Sequence, residues 1–203
     1  MLGMYAVFVF LLISSVVAEL NQEPTQVECP SDWTQVQSDT VKNTFDLKKI
    51  DGLWYEIAYH DLAQVRESCQ YLNRTVAADA KSLDEIFGFC YPNKGDGGLA
   101  LHYDITENKG VLNRYIDKPI VRKFQLPCAV VDATVARDGS YETISEYLCY
   151  TVGPITYREI RILSRSNTMG SAQLLKLENN LHSLGVPFKA LRQVDHSNCT
   201  YGQ

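Results

Sequence analysis

The chain has 203 residues, 24 acidic and 19 basic, and a net charge of −5 with neutral histidines. That balance disfavours nucleic acid as a partner, because phosphates call for a basic face. The length suits one domain with a sizeable core.

Taken in chain order, Met1 to Ala18 carries no charged side chain, and Tyr5 to Ile13 is continuously apolar. Val16-Val17-Ala18 supplies the short residues at which a signal peptidase cuts, so residues 1–18 read as a secretory signal and 19–203 as one domain. The apolar run is too short for a membrane anchor, and no other stretch could span a bilayer. Residues 19–44 are polar and read as an extended arm. Residues 45–165 read as a sheet domain, and 166–203 as a helix followed by a tail.

Short runs rich in Tyr, Val, Ile and Thr, bounded by turn residues, predict eight strands. They are 54–60, 70–77, 84–91, 99–105, 111–116, 129–136, 141–150 and 157–163. The stretches 92–98, 107–110 and 137–140 are Gly/Asn/Asp turns that supply positive φ for hairpins. Eight strands joined by short hairpins predict an all-β, up-and-down antiparallel barrel. A two-sheet sandwich is the alternative. From about Ser171 to Leu184, Leu174, Leu177, Leu181 and Leu184 recur at helical spacing. Ser171 can cap this helix, Gly185 and Pro187 end it, and it is expected to pack outside the barrel.

Six cysteines follow the signal: Cys29, Cys69, Cys90, Cys128, Cys149 and Cys199. In an oxidising compartment they allow up to three disulfides, with fifteen possible pairings. No C-x-x-C, H-E-x-x-H, G-x-S-x-G or phosphate loop occurs, so no metal, cofactor or catalytic constellation is called for. Sequons at Asn73 and Asn198 are glycosylation candidates in the secretory path. The central Cys of the second makes it the poorer acceptor.

Phe45-Asp46 followed by Gly52-Leu53-Trp54-Tyr55-Glu56-Ile57, and Ile162-Leu163-Ser164-Arg165 at the end of the eighth strand, carry a resemblance. So do Cys69 followed by Asn73, and the tail Val194-Asp195-His196-Ser197-Asn198-Cys199. On these motifs the chain resembles the lipocalin family, in particular its apolipoprotein D and insect bilin-binding branch. Nearly the whole mature chain is covered. The middle lipocalin motif is not intact, since Arg137-Asp138-Gly139-Ser140-Tyr141 occupies that turn, and receptor contacts attributed to that loop in relatives are not carried over. The resemblance implies that Gly52 permits close backbone approach, that Trp54 plugs a closed barrel end, and that Arg165 lies over its indole. It pairs Cys29 with Cys149 and Cys69 with Cys199, leaving Cys90 with Cys128.

The resemblance also implies a secreted carrier of a small hydrophobic ligand of the pigment, sterol, fatty acid or retinoid class. An eight-stranded barrel can hold one such ligand, or be filled by its own side chains. Strand parity counted from Trp54 places Glu56, Ala58 and His60 inward. Counted from an outward Asn73, it places Leu72, Arg74 and Val76 inward, where Glu56 and Arg74 could meet. Phe87, Phe89, Leu101, Tyr103 and Tyr115 complete the candidate lining, and Tyr91 belongs to the same aromatic supply. Some salivary lipocalins hold haem through a barrel histidine, for which His102 is the formal candidate. Two other classes compete with the carrier. One is a lipocalin-like enzyme acting on a lipid or carotenoid, which by a thiol route needs a free cysteine as thiolate. The other is a secreted inhibitor or signalling protein that works through its outer surface.

Overall fold

The computed structural model describes residues 28–61, 64, 67–91, 95–116 and 125–201. The signal segment, the first part of the arm and the 92–94 turn lie outside the described residues. Eight antiparallel strands follow one another: β1 (Gly52–His60), β2 (Ser68–Val76), β3 (Ser82–Tyr91), β4 (Gly95–Ile105), β5 (Val111–Ile116), β6 (Leu126–Val135), β7 (Tyr141–Val152) and β8 (Ile155–Ser164). Each pairs with the next, β8 pairs back onto β1, and β1 onto β2. The expected up-and-down barrel therefore forms, and the sandwich does not.

Closure is divided along β1. Its first half, Gly52 to Tyr55, pairs with β2, while its second half pairs with β8. The C-terminal tail fills the seam this leaves. Its two-residue strand β9 (Arg192–Gln193) pairs with Ala58 and Tyr59. The Val194 amide donates to the Ile57 carbonyl, and the Cys69 amide to the Asp195 carbonyl. The sequence pattern did not announce this ninth strand, because two polar residues carry no periodicity.

The arm differs from the extended segment expected. A 3₁₀ turn at Trp33–Val36 is capped by Asp32, and helix α1 (Asp39–Thr44) is capped by Ser38. Both caps satisfy amides that would otherwise lack partners at a helix start. Val36 and Val41 are buried beneath them. A second 3₁₀ turn, Leu47–Ile50, leads into β1. Gly110, at φ +70, leaves room for this arm, because a Cβ there would stand 2.8 Å from Val41 Cγ1.

Helix α2 (Ser171–Ser183) lies on the outer face, with Leu174, Leu177 and Leu181 packed against Val131, Tyr147, Ile160 and Ile162. Its N-cap is Gly170, without a side-chain bond. Ser171 is the first helical residue rather than the cap.

Two disulfides form, Cys29–Cys149 and Cys69–Cys199. They tie the arm and the tail to the barrel, where loose ends otherwise fray. The third expected bond does not form: Cys90 and Cys128 are free thiols. Strands β4 and β5 separate β3 from β6 in the sheet. Cys90 also lies between Phe89 and Tyr91, which face inward, and its thiol bonds outward-lying Asp96, whereas Cys128 is buried opposite Leu112 inside.

Candidate functional site

The barrel interior has three layers. At the closed end Trp54 is fully buried, its indole N–H donating to the Ile50 carbonyl at 2.9 Å. The Arg165 guanidinium lies 3.8 Å from the indole centroid and bonds the carbonyls of Leu53, Lys49 and Asp51. Gly52 adopts φ +88, a region that favours glycine, with Arg165 3.6 Å from where a Cβ would sit. Val41, Leu47, Ile50, Leu72, Leu83, Tyr141 and Ile144 pack around the plug.

Above the plug lies a layer of buried ions. Arg74 donates through Nε to Glu85 at 2.8 Å and through Nη2 to Glu146 at 3.0 Å. Arg161 joins the same two carboxylates, at 3.0 Å to Glu85 and 2.6 Å to Glu146, and also donates to the Tyr103 hydroxyl at 3.0 Å. Tyr103 in turn donates to Glu85 at 3.1 Å. Arg114 grips Glu159 with two bonds, of 2.6 and 2.5 Å. Bidentate geometry of this kind makes the strongest carboxylate–guanidinium contact. Burial alone would raise the Glu85 carboxyl, but Arg161 and Arg74 reverse this and pull it down to about 2. Burial is likewise overcome at Glu159, chiefly by Arg114, so that its carboxyl is lowered.

Glu56 shares this layer and stands apart from it. It is fully buried, and neither carboxylate oxygen has a hydrogen-bond partner. Burial pushes its carboxyl well up. Arg161 opposes the rise, and Glu159, Asp61 and Glu85 reinforce it. Burial thus favours the neutral form of Glu56, and the bonded part of the layer reads three arginines against three carboxylates.

The third layer is a cavity of about 420 Å³ at the open end. Phe87, Phe89, Leu99, Leu101, Ile116 and Leu126 form its walls. Arg114, Glu159 and Arg161 form its floor, and Asp61, Gln64, Glu67 and Tyr157 stand around it. Tyr157 donates to Asp61 and Tyr91 to Glu67. Gly97, opposite Phe89 in the register, leaves room for that ring, since a Cβ there would fall 2.5 Å from it.

The parity assignment therefore separates into outcomes that differ by strand. Leu72, Arg74 and Val76 face inward, but toward the plug and the ion layer rather than the cavity. Phe87, Phe89 and Leu101 line the cavity, and Tyr103 lies beneath it. Tyr115 touches the cavity edge, but it pairs with His102 and packs its ring there, centroids 4.9 Å apart. Ala58 and His60 are corrections. A β-bulge at Ile57 shifts the register between Glu56 and Ala58, so both residues pair with the outward Ile162 and Ile160 while Tyr59 pairs with inward Arg161. One extra residue reverses parity for the rest of a strand. Glu56 and Arg74 are not bonded to each other, because Arg74 is committed to Glu85 and Glu146. His102 lies outside the barrel, 2.5 Å from Asp84, which removes it as a haem ligand in the cavity.

No family model and no curated protein sequence matches the chain. Solved structures do. Apocrustacyanin C1 superposes with a TM-score of 0.67 at 16% identity, over 89% of this chain and 97% of that one. Insecticyanin from the tobacco hornworm Manduca sexta gives 0.62 at 20% identity, over 86% and 89%. The chain has the lipocalin fold. Lobster apocrustacyanin A1 agrees, with a TM-score of 0.59 at 16% identity over 76% and 82%. At such identities the likeness carries the lipocalin barrel and no residue roles, so the site rests on the geometry above. The ion layer is what sequence reasoning missed. A signal for it existed in Glu159 and Arg161, opposite charges two residues apart on one face of a strand.

Proposed function

We propose that the protein is a secreted carrier that holds a small hydrophobic ligand in the open-end cavity. The carrying observation is the cavity itself, about 420 Å³ and walled by six apolar side chains above a polar floor. Ligand pockets typically combine such walls with a few placed polar groups. The lipocalin fold and the similar siderocalin Ex-FABP, which functions through dual ligand specificities, support a binding role (TM-score 0.54, 12% identity, over 73% of this chain and 95% of that one). Two disulfides and an apolar leader at 1–18 support export, and exposed Asn73 and Asn198 are the glycan positions proposed with it.

The free thiols give little support to the enzyme alternative. Burial pushes the Cys128 thiol up to about 12, so at neutral pH it is protonated and a poor nucleophile. The hydrogen bond to Asp96 likewise raises Cys90, which lies outside the cavity. Native mass spectrometry of protein from its own source, followed by solvent extraction, tests the carrier reading. The expected result is a stoichiometric apolar cargo and a chain beginning near Glu19. A chain that is empty as isolated and fails to take up any apolar dye would refute it.

A further inference from the structure

The floor of the cavity restricts what the inner end of a ligand can be. Among the described residues, every guanidinium that forms it is already matched. Arg114 is held by Glu159 through two bonds, and Arg161 is shared between Glu85 and Glu146, with Glu159 3.4 Å from its Nε. Arg74 lies deeper, does not line the cavity, and is bound by the same Glu85 and Glu146. Among the described residues, an anion arriving on this floor would find no cation that is not already bonded to a carboxylate.

An unpaired charge out of water is costly, whereas a polar neutral group needs only a hydrogen bond. The floor offers that bond. Carboxylate oxygens each accept more than one, so a hydroxyl can donate into Glu159 without displacing Arg114. A carbonyl can accept from guanidinium N–H groups. Resting on the carrier reading, we propose that the inner end of the ligand is polar and uncharged, a hydroxyl, carbonyl or ester seated on the Arg114–Glu159–Arg161 floor, and that a carboxylate is excluded from that position.

Three probes of one length separate the possibilities: dodecane diol, ω-hydroxydodecanoate and dodecanedioate. Each is titrated against a neutral naphthylamine dye bound to the full disulfide-intact chain at mildly alkaline pH. The hydroxy acid can bury its hydroxyl and leave its carboxylate at the mouth, but the diacid must bury a charge. The diol and the hydroxy acid are expected to displace the dye with apparent affinities roughly tenfold to a hundredfold better than the diacid. Diacid binding equal to that of the hydroxy acid would overturn the proposal. Failure of all three probes and of the dye would instead overturn the carrier reading beneath it. In Glu159→Gln, Arg114 loses its partner, so the diacid should gain most of the lost affinity. A folded Glu159→Gln chain with an unchanged gap also counts against the proposal. The comparison on the natural chain decides the matter whether or not the variant folds.

Discussion

Glu56 offers a quantitative test of the barrel interior. Its carboxyl is fully buried without a hydrogen-bond partner and is held well above its ordinary value of 4.5, burial being the largest cause. A folded-state value above the unfolded one means that the native chain binds the extra proton. The stability from that proton is complete below about pH 4.5 and is lost as pH rises toward the folded value. Each pH unit between the unfolded and the folded value costs about 1.4 kcal/mol for one proton. For a domain of this size each such unit corresponds to a midpoint fall of about 3–6 °C. Glu56→Gln removes the titration and should lose this component. Thermal melts of both proteins across that range give the slope difference directly. His196, whose imidazole burial depresses, contributes in the opposite sense as pH falls below 6.5. That contribution is common to both chains and cancels in the comparison. Parallel midpoint–pH slopes for the two proteins would refute a buried, unpartnered Glu56.

Trp54→Ala empties the closed end and should cost about 3–5 kcal/mol, read by urea unfolding with disulfides intact; an unchanged midpoint would contradict the plug. Arg161→Met leaves Glu85 and Glu146 without one of their two partners, and should destabilise by about 3–5 kcal/mol. Glu85, pulled down to about 2, should make the native chain lose stability as pH falls from 4.5 toward 2; a carboxylate-to-amide change at this position should flatten that limb in acid denaturation. Thiol titration should count two free cysteines in denaturant, with Cys128 protected until unfolding; a count of zero would restore the third disulfide.

The strand content was legible because each hairpin is marked by Gly, Asn or Asp and each strand is rich in β-formers. Parity was legible only where a single face is buried. On β2 the anchor Asn73 is exposed and the assignment of Leu72 and Arg74 holds. On β8 both faces are buried, one beneath α2 and one inside the barrel. There the apolar Ile160 and Ile162 face outward while Glu159 and Arg161 face inward. A rule equating apolar with inside reverses such a strand. The bulge at Ile57 defeats parity for a different reason, since an inserted residue leaves the alternation of types unchanged while turning Ala58 and His60 to the other face.

These departures are connected. A barrel filled by apolar side chains throughout would leave no cavity, and one left open throughout would lose its core. Here the ion layer divides the two regions. Its arginines and glutamates are long enough to meet across the barrel from β2, β3, β5, β7 and β8. Such pairs are poor sources of net stability compared with apolar packing. Their value lies in geometry, since Arg74–Glu146, Arg161–Glu85 and Arg114–Glu159 tie strands across the barrel while Arg74–Glu85 and Arg161–Glu146 tie neighbours, and together they close the floor under Phe87 and Leu101. The bulge serves the same division. By turning Ala58 outward onto the Ile162 side it brings Tyr59 level with Arg161, and it leaves the Ile57 carbonyl free to accept from Val194 of the tail. The seam above the floor is thereby sealed by a tail that Cys69–Cys199 anchors. Reducing that one disulfide should therefore loosen the open end and weaken ligand retention before it disturbs the Trp54 plug.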